Sequence, residues 1–95
     1  MEINWLPIGS VVQLAKEGKP LMICGRAQKE RDTGEIWDYS ACPYPEGSLS
    51  PEQTFLFNRG QVERLLFIGY QTEENALFAQ QLDGLLKAAK ENEGD

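Results

Sequence analysis

A chain of 95 residues has room for one domain with a single modest core. Its 15 acidic and 9 basic residues give a net charge of −6, which argues against a basic surface for nucleic acid or anionic lipid. The two cysteines are too few for a disulfide framework and lack zinc-site spacing. The absence of histidine removes the commonest general base, Ser-His triads, Cys-His dyads and most zinc centres. Met1 to Pro7 has no basic region followed by a long apolar run, and no later segment approaches the roughly 20 apolar residues of a membrane helix. The expectation is a cytoplasmic protein with reduced thiols, no export signal and no membrane insertion.

In chain order, Gly9 to Ala15 alternates weakly and contains the β-branched pair Val11 and Val12, while Pro20 to Gly25 holds the apolar run Leu21, Met22, Ile23 and Cys24. The short polar connection Lys16-Glu17-Gly18-Lys19 predicts a β-hairpin between them. Ala27 to Glu35 is strongly charged and contains Asp32-Thr33-Gly34, which suits a solvent-exposed turn. Ile36 to Cys42 predicts a third strand, with Trp37, Tyr39 and Ala41 on one face and Ile36, Asp38 and Ser40 on the other.

Pro43 to Gln53, rich in Pro, Gly and Ser, predicts a loop, and Thr54 to Phe57 a short strand. Asn58 is placed to cap a helical turn near residues 59–62, with Gln61 at the third position after it. Val62 to Tyr70, the longest apolar run, predicts a central strand buried on both faces. Thr72 is a good N-cap, Glu73 and Glu74 suit the positive end of a helix dipole, and Phe78, Leu82, Leu85, Leu86 and Ala89 recur at helical spacing. Gly84 weakens that helix by roughly 1 kcal/mol relative to Ala. These elements make an α+β fold: an antiparallel sheet of four or five strands, one short helical turn, and a C-terminal helix from about Glu73 to Lys90 packed on one face. A single domain spans residues 1–90, and 91–95 form an acidic disordered tail.

The candidate chemistry is thin. Asp32-Thr33-Gly34 matches the triplet of dimeric aspartic proteases, but that mechanism places the carboxylate on a buried loop after a hydrophobic strand, and here Lys29-Glu30-Arg31 precedes it. Cys24, inside an apolar run, reads as a core thiol, with Cys42 more exposed beside the proline-rich loop. Antiparallel pairing of 21–25 with 37–41 would set Cys24 opposite Asp38 and Cys42 opposite Pro20, too far apart to bridge. Asp38, Glu46 and Glu52 have no EF-hand spacing, and no glycine-rich element makes a phosphate loop. No enzyme, cofactor or metal site is expected.

The most distinctive stretch is Asp38 to Gly47, where aromatics, two prolines and a glycine follow a strand-like run and present Tyr44 between two rings. Such a stiff loop suits contact more than catalysis. Taken in order, LPIGSVVQL at Leu6 to Leu14, LMICGR at Leu21 to Arg26, DYSACPYPEG at Asp38 to Gly47, FLFN at Phe55 to Asn58 and LLFIGY at Leu65 to Tyr70 resemble a family of small Gram-positive proteins. That family is classed as a domain of unknown function and is encoded beside LXG toxins of the type VII secretion system. The resemblance implies a cytoplasmic chaperone that binds the N-terminal region of its toxin, together with small helical secretion partners, and delivers it for export. A second function of the same size and acidity is an immunity protein that neutralises the toxin's C-terminal domain. A chaperone needs aromatic and arginine anchors on a rigid scaffold. Trp37, Tyr44, Phe55 and Tyr70 are the candidate anchors, with Arg26 and Asp38 as polar partners and Tyr39 as a further aromatic.

Overall fold

The computed structural model describes residues 5–15 and 18–93. Five strands, β1 (Val11–Leu14), β2 (Leu21–Lys29), β3 (Ile36–Pro43), β4 (Phe55–Phe57) and β5 (Val62–Phe67), precede one helix, α1 (Glu73–Glu93). They form one antiparallel sheet in the order β4-β3-β2-β1-β5. This is the expected α+β fold. Short 3-10 turns occupy Pro51–Gln53, where a loop was expected, and Arg59–Gln61, where a turn was. Residues 1–4, Lys16 and Glu17 of the hairpin connection, and Gly94 and Asp95 of the expected tail lie outside the described residues, as does the side chain of Ala89.

The β1–β2 hairpin is extended beyond its ladder by Gly9 N–H donating to the Ile23 carbonyl at 2.8 Å and Ile23 N–H donating to the Ser10 carbonyl at 2.8 Å. β2 runs on through the charged residues to Lys29, which pairs with Ile36. Backbone hydrogen bonds supply that ladder whatever the side chains, so the charged stretch forms an exposed hairpin arm rather than a long loop. Its tip is the Asp32-Thr33-Gly34 turn, closed by Gly34 N–H on the Glu30 carbonyl at 2.8 Å with Gly34 at φ +75°. Asp32 is exposed there, as a turn residue should be and a shared-proton catalytic carboxylate should not.

Trp5, Val12, Leu21, Ile23, Tyr39, Ala41, Phe57, Leu82 and Leu86 form the core. Tyr39 stands at its middle, with its ring 5.7 Å from Trp5 in an edge-on arrangement and 5.6 Å from Phe57. Its hydroxyl accepts a hydrogen bond from the Leu6 N–H at 2.9 Å. Helix α1 starts as expected, with Asn75 N–H donating to Thr72 Oγ1 at 3.0 Å. Trp5 Nε1 donates to Asp83 Oδ1 at 2.7 Å and ties the helix to the start of the described chain.

Four expectations change. The strand buried on both faces is β3, whose residues Asp38 to Cys42 are all buried, whereas β5 is an edge strand with Leu65, Leu66 and Phe67 exposed. Adjacent charges Glu63 and Arg64 point to opposite faces of a strand, so neither face of β5 can be fully dry. On α1 only Leu82 and Leu86 of the expected stripe are buried, with Ala79 half-buried, while Phe78 and Leu85 are exposed. The helix meets the sheet along the narrow row through residues 79, 82 and 86, which leaves flanking apolar residues in water. Its backbone remains helical through Glu93, past the expected start of the tail at 91. Finally, Cys24 is exposed and Cys42 is 4 % exposed, the reverse of the expected order. Alternation explains Cys24: Leu21 and Ile23 turn into the core, so Cys24 turns to the opposite face, at an irregularity between the pairs Ile23–Ala41 and Gly25–Ser40.

Candidate functional site

The seven candidate residues fall into three settings. Tyr39, 1 % exposed, is a core residue. Asp38 is also buried; its Oδ2 accepts from Arg59 N–H at 2.9 Å and Arg59 Nε at 3.2 Å. Arg59 in turn lies over the Trp5 ring at 4.5 Å from the centroid. This carboxylate therefore anchors the Arg59–Gln61 turn to β3. Asn58 joins the same brace, because its Oδ1 accepts from Asp38 N–H at 2.9 Å while its own N–H donates to Gln61 Oε1 at 2.8 Å.

Arg26 reaches the start of α1, where its Nη1 donates to Asn75 Oδ1 at 2.9 Å and its guanidinium lies 5.2 Å from the Phe78 ring centroid. Partial burial pushes its pKa below the ordinary value, opposed by the nearby Tyr39. Trp37 is half-buried on the hairpin arm and donates from Nε1 to Glu30 Oε1 at 3.1 Å. Phe55 is half-buried on β4 at one sheet edge and packs against the core. Tyr70, 85 % exposed, follows β5 at the other edge.

Tyr44 lies in an apolar hollow shared with the last residues of β5. Gly9, Val11, Pro20, Met22, Tyr44, Leu66 and Phe67 enclose about 450 Å³. Cross-strand pairing puts Val11 beside both Met22 and Phe67, so these three side chains share one sheet face. The Tyr44 wall is pinned from two sides. Tyr44 N–H donates to the Pro20 carbonyl at 2.9 Å, and Lys19 Nζ lies 2.8 Å from Glu46 Oε2. The bond from Lys19 holds the Glu46 carboxyl below its ordinary pKa. The β5 wall is pinned where the strand ends: Gly69 N–H donates to the buried Ser10 Oγ at 2.9 Å, and a Cβ on Gly69 would overlap the Ile8 carbonyl. A hollow with apolar walls held by backbone and ion-pair contacts suits an apolar side chain from another chain.

The structure thus separates the candidates. Arg26 lines a second hollow with Asn75 and Phe78, Phe55 a third with Leu14 and Val62, and Asp38 a fourth with Asn58 and Arg59. Sequence reasoning missed Val11, Met22, Leu66 and Phe67, because a β5 buried on both faces would have hidden the last two. The signal was the Glu63-Arg64 pair, which marks an edge. Among the described residues no cluster of three or more Cys, Asp and Glu is placed to hold a metal ion, and no helix is long and apolar enough to cross a membrane.

Neither the curated proteins nor the solved structures contain a significant match to this chain. Residues 5–78 match a family described as a domain of unknown function, DUF4176, and that span runs from the core residue Trp5 through all five strands into the first turns of α1. The chain therefore belongs to the DUF4176 family.

Proposed function

We propose that this domain is a non-enzymatic protein-binding module. It serves as a cytoplasmic targeting chaperone for an LXG toxin of a type VII secretion system. The observation that supports the reading is the pinned apolar hollow of Val11, Met22, Tyr44, Leu66 and Phe67, beside an edge strand whose outer side is met by no strand among the described residues. Isolated apolar side chains on a surface are ordinary, but a contiguous group with rigid walls suits a protein partner. The unpaired edge adds a row of hydrogen-bonding groups next to that hollow. The toxin assignment rests on the resemblance carried by residues 6–70.

Co-expression with the LXG toxin encoded beside the gene, divided into N-terminal and C-terminal halves, tests it. Copurification with the N-terminal half is the expected result. Capture of the toxic C-terminal half would replace the chaperone by an immunity protein, and capture of neither would leave the toxin assignment without support.

A further inference from the structure

Helix α1 has a second face that the fold leaves in water. Its core contacts run along residues 79, 82 and 86, whereas Glu74, Leu77, Gln81, Gly84 and Ala88 recur at alternating spacings of three and four and are all exposed. That spacing is the seam of a helix that packs along another helix. Leu77 and Leu85 are 60 % and 63 % exposed, and Phe78, although it lies beneath Arg26, is still 45 % exposed. Gly84 stands in the same seam. A Cβ there would meet nothing within 4 Å, so no crowding inside the chain calls for glycine, and glycine weakens a helix relative to alanine. A helical glycine with no internal cause suits the close approach of a second helix.

The pattern is symmetric about Gln81. In two antiparallel copies related by a two-fold axis at that residue, positions equally far from it stand at the same height. Leu77 of one copy then meets Leu85 of the other, and Phe78 meets the open space at Gly84, each contact occurring twice. Charge follows the same symmetry. Glu73 and Glu74 in the first turn come level with the turn that carries Lys87 in the second copy, and among the described residues none of the three is in an ion pair. The acidic N-terminal turn of each helix also lies toward the basic, C-terminal part of the other, as antiparallel helix dipoles favour. We propose that this face of α1 is a self-association surface, on which a second copy of the chain pairs its own α1 antiparallel about Gln81. A single pair of helices buries less than about 1,200 Å², so the dimer is a weak one that forms at high chain concentration. It leaves the hollow beside β5 open on both copies, because Val11 and Met22 face away from the core residues Val12 and Leu21 that lie on the helix side.

Sedimentation equilibrium of the full chain at physiological salt, from about 1 µM to about 500 µM, tests it. The average mass should rise from one chain toward two, with half of the chains paired near about 100 µM. At about 1 µM the chain is a monomer, so its unfolding there reports one copy alone. Leu77→Ser with Leu85→Ser should weaken pairing by about tenfold or more. Gly84→Leu should do the same while helix content by circular dichroism stays equal or rises, because the new side chain has open space within its own chain and collides with Phe78 of the second copy. Glu73→Lys lowers the net negative charge and so eases general repulsion between copies, yet it should weaken pairing by about threefold; Lys87→Glu should do likewise, and the two changes together should restore it. Three results would overturn the proposal: a chain that stays monomeric throughout, pairing that survives both the leucine and the Gly84 variants, or charge variants whose combination does not restore pairing.

Discussion

Tyr39 shows how one side chain can be structural even where its aromatic character invites a binding role. Its ring joins Trp5 to Phe57, and its hydroxyl satisfies the Leu6 N–H. Burial is the first cause that pushes its phenol pKa upward, with Asp38 acting the same way; the Leu6 bond, Arg59 and Arg26 oppose it. The sign of the consequence follows from linkage. An unfolded phenol releases its proton near pH 10 while the folded one keeps it, so the unfolded chain binds fewer protons and stability falls as pH rises from there toward the folded pKa. Below that range the contribution is fully present. Tyr39→Phe removes both the titration and the acceptor for Leu6. At pH 7 it should cost about 1–3 kcal/mol, and this deficit should narrow above about pH 10. Urea midpoints of both proteins across that range check it, and a deficit that stays constant would show that Tyr39 does not control alkaline unfolding.

At the scale of elements, α1 is held to the sheet by few side chains. Leu82 and Leu86 are buried while Leu85, between them in sequence, is 63 % exposed. Leu82→Ala should therefore destabilise the domain by about 2–5 kcal/mol, whereas Leu85→Ala should stay within about 0.5 kcal/mol of wild type. Equal losses in thermal or urea unfolding would mean that the helix rests on its broader apolar face. The helix itself was legible from Thr72, the acidic first turn and the apolar spacing, because those cues are local. Its rotation about its own axis was not, since spacing admits several neighbouring rows and only the sheet selects one. The strands follow the same division. Local alternation located β1 and β3, and a compact apolar run located β4, but the place of β5 depended on which partner its backbone found. Cys24 was not legible in the same way: the apolar run from Leu21 reads as uniformly buried, whereas strand alternation turns Leu21 and Ile23 into the core and leaves Cys24 on the opposite face.

For the whole molecule, the proposed binding role turns on which of its apolar surfaces would receive a partner. Leu77 and Leu85 are 60 % and 63 % exposed on α1, and Tyr44 and Phe67 are 49 % and 62 % exposed around the hollow beside β5. Leu77 borders the hollow of Arg26, whose walls include the polar side chains Thr72, Glu74, Asn75 and Gln81. The hollow beside β5 instead has mostly apolar walls from β1, β2, β5 and the loop after β3, so an inserted apolar side chain loses water on several sides at once. Its walls are also pinned by the Tyr44–Pro20, Lys19–Glu46 and Gly69–Ser10 contacts, so binding requires little further ordering. Tyr44→Ala combined with Phe67→Ser should therefore weaken capture of the toxin's N-terminal half by about tenfold or more, the effect of losing two anchors worth about 1 kcal/mol or more each. Leu77→Ser with Leu85→Ser should change it by no more than about twofold. All four side chains are exposed, so unfolding midpoints of both variants should remain near wild type. Titration calorimetry on the folded variants separates the two surfaces: a larger loss from the helix pair would move the binding face to α1 while leaving the chaperone reading in place.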